Sequence, residues 1–152
     1  MIFAGGETDV DKAIIGITGG RYSHVGGYLF DSVYESTGIK EESDPYPGVW
    51  LHNPHKYDSS DIVEFIEIGV PDLLALKQKA RELLGTVYGY SDCIKTGIAE
   101  IFHVGIPDNE FSMHCSETWT RLLRAGGLDI LPDAKADSIS PNKLYEAIKS
   151  LQ

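Results

Sequence analysis

The alternation of apolar and polar positions along the chain predicts an α+β fold. The run SHVGGYLF is β-branched and aromatic, breaks at Asp31-Ser32 and resumes as VYEST, which predicts a two-stranded hairpin. DIVEFIEI, residues 61–68, alternates apolar with acidic positions and predicts a further strand. Ile2 to Ala4 is a short apolar stretch closed by Gly5-Gly6. The segment that follows fits a brief helix from Asp9 to Ile17 closed by Gly19-Gly20, although AIIGI fits a strand equally well. Between Gly38 and Ser60 the prolines and glycines Pro45, Pro47, Gly48 and Pro54 predict a long surface excursion with one short strand near 49–51.

The second half of the chain changes period. Pro71 opens a helix with Asp72 in its first turn, Leu73, Leu74, Leu76, Ala80, Leu83 and Leu84 on its buried side, and Gly85 as its stop. Residues 90–103 carry Ile94, Ile98, Ile101 and Phe102 at helical spacing. After Cys115 a helix turns Trp119, Leu122 and Leu123 inward, sets Arg121 and Arg124 in its last turn, and ends at Gly126-Gly127. Ser140-Pro141 starts a final helix. No internal repeat or low-complexity tract interrupts this order, and 152 residues suit one domain spanning 1–152.

Composition narrows the function classes. A formal charge of -10 without a basic cluster argues against nucleic acid as a partner. No stretch approaches the roughly 18 apolar residues of a membrane span. The start MIFAGGETDV lacks a basic region before its apolar residues, so no secretory signal, no membrane partner and a cytoplasmic location are expected. In that compartment Cys93 and Cys115 are expected as free thiols rather than a pair. Neither CxxC nor HExxH occurs, and His52 with His55 supplies only two ligands, so no metal and no cofactor are expected. The glycines of GITGGRYS lack the lysine of a phosphate-binding loop.

The candidate chemistry centres on SMHCSET. A helix N-terminus lowers a thiol pKa through its unpaired N–H groups and dipole, and those N–H groups also stabilise an oxyanion. Cys115 therefore reads as a candidate nucleophile, against the bland alternative of a buried packing cysteine. Among the histidines, His114 is adjacent in sequence and a poor partner, His103 reads as a helix cap, and His52 and His55 read as surface residues. His24 differs, because it opens an apolar strand.

The stretch YSHVGGYLFDSVYES, followed much later by HCSET and an apolar helix, resembles the NlpC/P60 superfamily of papain-like cysteine hydrolases. It is most similar to the circularly permuted branch of YiiX/YaeF-like proteins and, more distantly, to lecithin-retinol-acyltransferase-like enzymes, because the histidine strand precedes the cysteine helix. The resemblance spans about Ile2 to Leu131, with two short specific motifs. It implies a small antiparallel sheet packed against helices, with the cysteine at a helix N-terminus. It implies Cys115 as nucleophile, His24 as its base and Glu35 as the group orienting the imidazole, a Cys-His-Glu triad acting through a thioester. Tyr22, Ser116 and Tyr88 are further candidates for substrate binding: Tyr22 stands beside His24, where it could line the site or help the oxyanion, and Tyr88 lies in LLGTVYGYSD, a stretch that also resembles the family and holds Tyr90 and Asp92.

Eleven positions separate His24 from Glu35, so the turn decides whether Glu35 faces the histidine or solvent, and a bulge near Phe30-Asp31 would bring it round. The expected function is a thiol hydrolase cutting an amide in a small or peptide-like substrate, cell-wall peptides among them. The alternatives are a lipid acyltransferase or thioesterase and a non-catalytic binding module. The oligomeric state is left open.

Overall fold

The computed structural model describes residues 1–6, 9–60, 62–89 and 112–152, and these form an α+β structure. Seven strands make one sheet: β1 (Ile2–Ala4), β2 (His24–Leu29), β3 (Ser32–Thr37), β4 (Gly48–His52), β5 (Val63–Phe65), β6 (Val87–Tyr88) and β7 (Ser112–Met113). Their spatial order is β5-β1-β2-β3-β4-β6-β7, antiparallel except for the β6–β7 pair. The helices are α1 (Asp9–Thr18), α2 (Leu73–Leu83), α3 (Cys115–Ala125) and α4 (Pro141–Lys149), with a 3-10 turn at Ala136–Ser138. Among the described residues no helix is long and apolar enough to cross a membrane.

The hairpin forms where the alternation predicts it, but without a bulge. Leu29 pairs with Ser32, and the two residues between them, Phe30 and Asp31, take φ of 56° and 57°. Two successive left-handed residues make the tight turn whose twist matches paired strands. The segment 38–60 is less of an excursion than its prolines suggest, since β4 lies inside the sheet against β3. The strand expected over 61–68 is confined to Val63–Phe65. The helix read over 90–103, with Cys93 and His103, lies outside the described residues.

Helix α3 sits at the centre of the packing. Trp119, Leu122 and Leu123 are buried as their spacing predicts, and Ser116, Thr118 and Thr120 are buried too. Those hydroxyls remain satisfied by carbonyls: Ser116 Oγ donates to Ile139 O at 2.6 Å, Thr118 Oγ1 to His114 O at 3.0 Å, and Thr120 Oγ1 to Ser116 O at 2.8 Å. Gly127, with φ of 85°, follows the helix in the left-handed conformation that glycine takes at no steric cost. On α2 the buried stripe is Leu76, Ala80 and Leu83, while Leu73 and Leu74 are exposed. Leu74 points away because one face of a helix cannot hold every leucine in an LLAL run.

Candidate active site

Glu35 owes its position to the sheet. It pairs with Gly26 on β2 and with Trp50 on β4, so His24 and His52 are its diagonal neighbours on the same face. A Cβ at Gly26 would lie 3.3 Å from Glu35 Cβ and 3.4 Å from Oε2. The missing side chain there leaves a channel across which the carboxylate reaches His24. His24 Nε2 donates to Glu35 Oε2 at 2.6 Å, and His52 Nδ1 donates to Oε1 at 2.6 Å.

Two further donors come from the turn after β4. Lys56 Nζ bonds Glu35 Oε1 at 2.5 Å and also bonds Glu41, and Tyr57 OH donates to Oε2 at 2.6 Å. The Tyr57 ring lies nearly parallel to His24, centroids 6.4 Å apart. Four donors fill the lone-pair sites of one carboxylate. His52 Nε2 meets Asp44 Oδ2 at 3.0 Å. Both nitrogens of His52 thus face carboxylate oxygens, which only accept, so His52 is an imidazolium.

Cys115 is the first residue of α3, and its side chain hydrogen-bonds His24. With His24 Nε2 committed to Glu35, Nδ1 is the ring nitrogen left free for the sulfur. His114 caps the helix, its Nδ1 accepting from Glu117 N–H at 3.3 Å and its Nε2 donating to Asp137 O at 2.9 Å. Adjacency made His114 a poor base in the sequence reading; its ring nevertheless also bonds Cys115. A second proton, on Nδ1, would face the Glu117 N–H. Burial and that contact oppose charge on His114, but the Cys115 sulfur and the Asp137 carbonyl outweigh them and raise its pKa to about 9, so both His114 and His24 can carry a proton beside the sulfur.

The charges follow from these contacts. Burial raises the Cys115 thiol, but the His24 imidazolium and the hydrogen bond from His114 pull it below its ordinary value. Burial works against charge on His24, and the Cys115 sulfur and Glu35 overcome it, so His24 is raised. Burial likewise opposes charge on Glu35, yet the bonds from His24 and His52 and the Lys56 ammonium hold its carboxyl well below the usual carboxylate range. His52 and Lys56 are both raised against burial, chiefly by Glu35. The arrangement can hold a thiolate–imidazolium pair, which is the reactive form of a cysteine nucleophile.

Of the residues singled out by sequence, Cys115, His24 and Glu35 lie together and the other three do not join them. The Tyr22 hydroxyl donates to Glu64 at 2.6 Å within a cluster of Phe3 and Tyr145. Ser116 is fully buried, its hydroxyl held by Ile139. The Tyr88 ring packs on Gly38, 3.0 Å from where a Cβ would stand.

His52 overturns its surface assignment: it is 5% exposed and bonded on both sides. His55 is exposed and paired with Asp58 at 2.8 Å. His52, Lys56, Tyr57, Asp44 and Glu41 escaped the sequence reading. The signal available was the period of two in Val49-Trp50-Leu51-His52, which brings His52 to the face of Trp50. Glu35, Glu41 and His52 also offer ligand atoms within 4.8 Å of one another, but the Lys56 ammonium already bonds both glutamates.

No family model, curated protein or solved structure matches the chain.

Proposed function

We propose that the chain is a thiol hydrolase that cleaves an amide bond in a small or peptide-like substrate, with a circularly permuted papain-like fold. The observation that carries this reading is the grouping of Cys115, His24 and Glu35, in which Glu35 holds His24 Nε2 at 2.6 Å and leaves Nδ1 to the sulfur. The order of motifs, YSHVGG and VYES before CSE, supports it through resemblance to the permuted NlpC/P60 branch.

In the proposed reaction His24 Nδ1 takes the thiol proton and Cys115 Sγ attacks the carbonyl carbon. The α3 N-terminus, with the Cys115 N–H, stabilises the oxyanion. Collapse expels the amine, which leaves with the proton His24 returns, and a thioester remains on Cys115. Water, deprotonated by His24, then releases the acid and regenerates the thiol. Glu35 fixes the tautomer and stabilises the imidazolium in both halves.

The test is the pH dependence of iodoacetamide alkylation, reading Cys115 and Cys93 separately by peptide mass spectrometry in wild type and His24→Ala. The expected apparent pKa of Cys115 lies well below the free thiol value of about 8.5 and returns toward it in His24→Ala. A Cys115 that stays inert until the protein unfolds would sink the reading.

A further inference from the structure

Glu35 is shared, and the sharing has a chemical consequence. Its Oε2 carries His24 and Tyr57, and its Oε1 carries His52 and Lys56. We propose that Lys56 and His52 are positioning residues, which by occupying Oε1 set how strongly Oε2 holds the His24 imidazole. The inference deepens the hydrolase reading and rests on it for its catalytic meaning.

A buried carboxylate facing an imidazolium alone would hold its proton tightly, because Coulomb attraction is large where water is scarce. A general acid that must return its proton to a leaving amine works best when that grip is moderate. Two cations on the opposite oxygen draw down the charge that Glu35 presents to His24. They are themselves balanced: Asp44 holds His52 at 3.0 Å, and Glu41 holds Lys56. Three carboxylates against two cations leave the cluster one negative charge in excess, facing His24.

Each group reaches Glu35 from a different part of the chain. His24 comes from β2, His52 from β4, and Lys56 and Tyr57 from the turn after β4, while Glu41 and Asp44 act through Lys56 and His52 from the segment between β3 and β4. On the far side of His24 the facing groups are Cys115 and, through the sulfur, His114. No local motif collects these residues, yet every one is bonded into a single network around one carboxylate. A surface lysine in an accidental ion pair would not share its acceptor with a buried imidazolium.

The sign of each substitution follows. Lys56→Met removes a positive charge, so Glu35 grips the imidazolium harder and His24 titrates at higher pH. Glu41→Gln releases Lys56 wholly to Glu35 and moves His24 the opposite way. Lys56→Arg keeps the charge and leaves His24 nearly where it was. The Glu41 side chain is 35% exposed, so its substitution tests the idea even where Lys56→Met unfolds the chain.

The experiment is NMR titration of the His24 imidazole in a Cys115→Ala background, where no thiolate perturbs it. Lys56→Met is expected to raise the His24 midpoint by about one pH unit and Glu41→Gln to lower it by a comparable amount. In chains retaining Cys115, both limbs of the alkylation profile should move in the same directions. A His24 midpoint unmoved by Lys56→Met and Glu41→Gln overturns the inference, whatever Cys115 does. If the midpoints move as expected while wild-type Cys115 alkylates like a free thiol, the tuning stands and the hydrolase reading falls.

Discussion

Glu35 accepts four hydrogen bonds on two oxygens while fully buried, and that arrangement sets the cost of losing its charge. Glu35→Gln turns an amide NH₂ toward donors that have nothing to accept it, and leaves His52 and Lys56 short of compensation. Breaking a buried pair by removing one partner costs about 3–5 kcal/mol, so a loss of that order is expected at neutral pH. The pH dependence has a definite sign. The folded-state pKa of Glu35 is depressed, so its stabilisation is present above the unfolded value of about 4.3 and fades as pH falls toward the lower folded value. In acid the unfolded chain takes up that proton first, which favours unfolding of the wild type but not of the variant. Urea unfolding at pH 7, 5 and 3 should show the gap between wild type and Glu35→Gln narrowing below about pH 5. A gap that stays constant or widens toward pH 3 would mean the carboxylate is not held ionised as described.

At the scale of elements, two adjacent glycines on β2 do separate jobs on opposite faces. Gly26 leaves room for Glu35 to cross toward His24, whereas a Cβ at Gly27 would lie 2.6 Å from the Trp119 ring. Gly27 therefore lets α3 lie close on the sheet, and that approach helps bring Cys115 within bonding reach of His24. Trp119 secures the contact, its Nε1 donating to Tyr34 O at 3.2 Å and its ring meeting Tyr34 edge-on. Gly27→Ala forces helix and strand apart, with an expected cost of about 1–3 kcal/mol for overpacking. Cys115 should become slower to alkylate near pH 6, as it moves away from the imidazolium. Trp119→Phe removes the ring atoms that the new methyl would meet. The double variant should thus recover part of both losses, which a double-mutant cycle in Tm and alkylation rate measures. Strict additivity of the two substitutions would show that this contact does not set the spacing.

For the molecule as a whole, what could be read in advance depended on how far each signal reaches along the chain. The hairpin and the helix after Cys115 were legible because alternation, turn chemistry and helical period are local. The position of Glu35 needed one more fact, the two-residue turn at Phe30-Asp31, which local sequence carries without a glycine to announce it. His52, Lys56 and Tyr57 were not legible. Their place depends on the register of β4 against β3 and on the turn at 54–59 folding back over Glu35, and single-residue patterns fix neither. The net charge of -10 is likewise a global property, and it bears on what approaches the site. A field of that sign attracts cationic reagents over roughly 30 Å at 0.01 M salt but only about 3 Å at 1 M. Cys115 should therefore react faster with a cationic methanethiosulfonate than with a neutral one of similar size, relative to their rates with 2-mercaptoethanol. The excess should be several-fold at low salt and should vanish at high salt, as steering by a whole-protein field requires. The comparison separates long-range attraction from local charge, because His24 and His114 lie too close to the sulfur for salt to screen them fully. A preference for the cationic reagent that survives 1 M salt would place its origin in a carboxylate beside the sulfur, and no preference at any salt would show that local cations cancel the field where the thiolate sits.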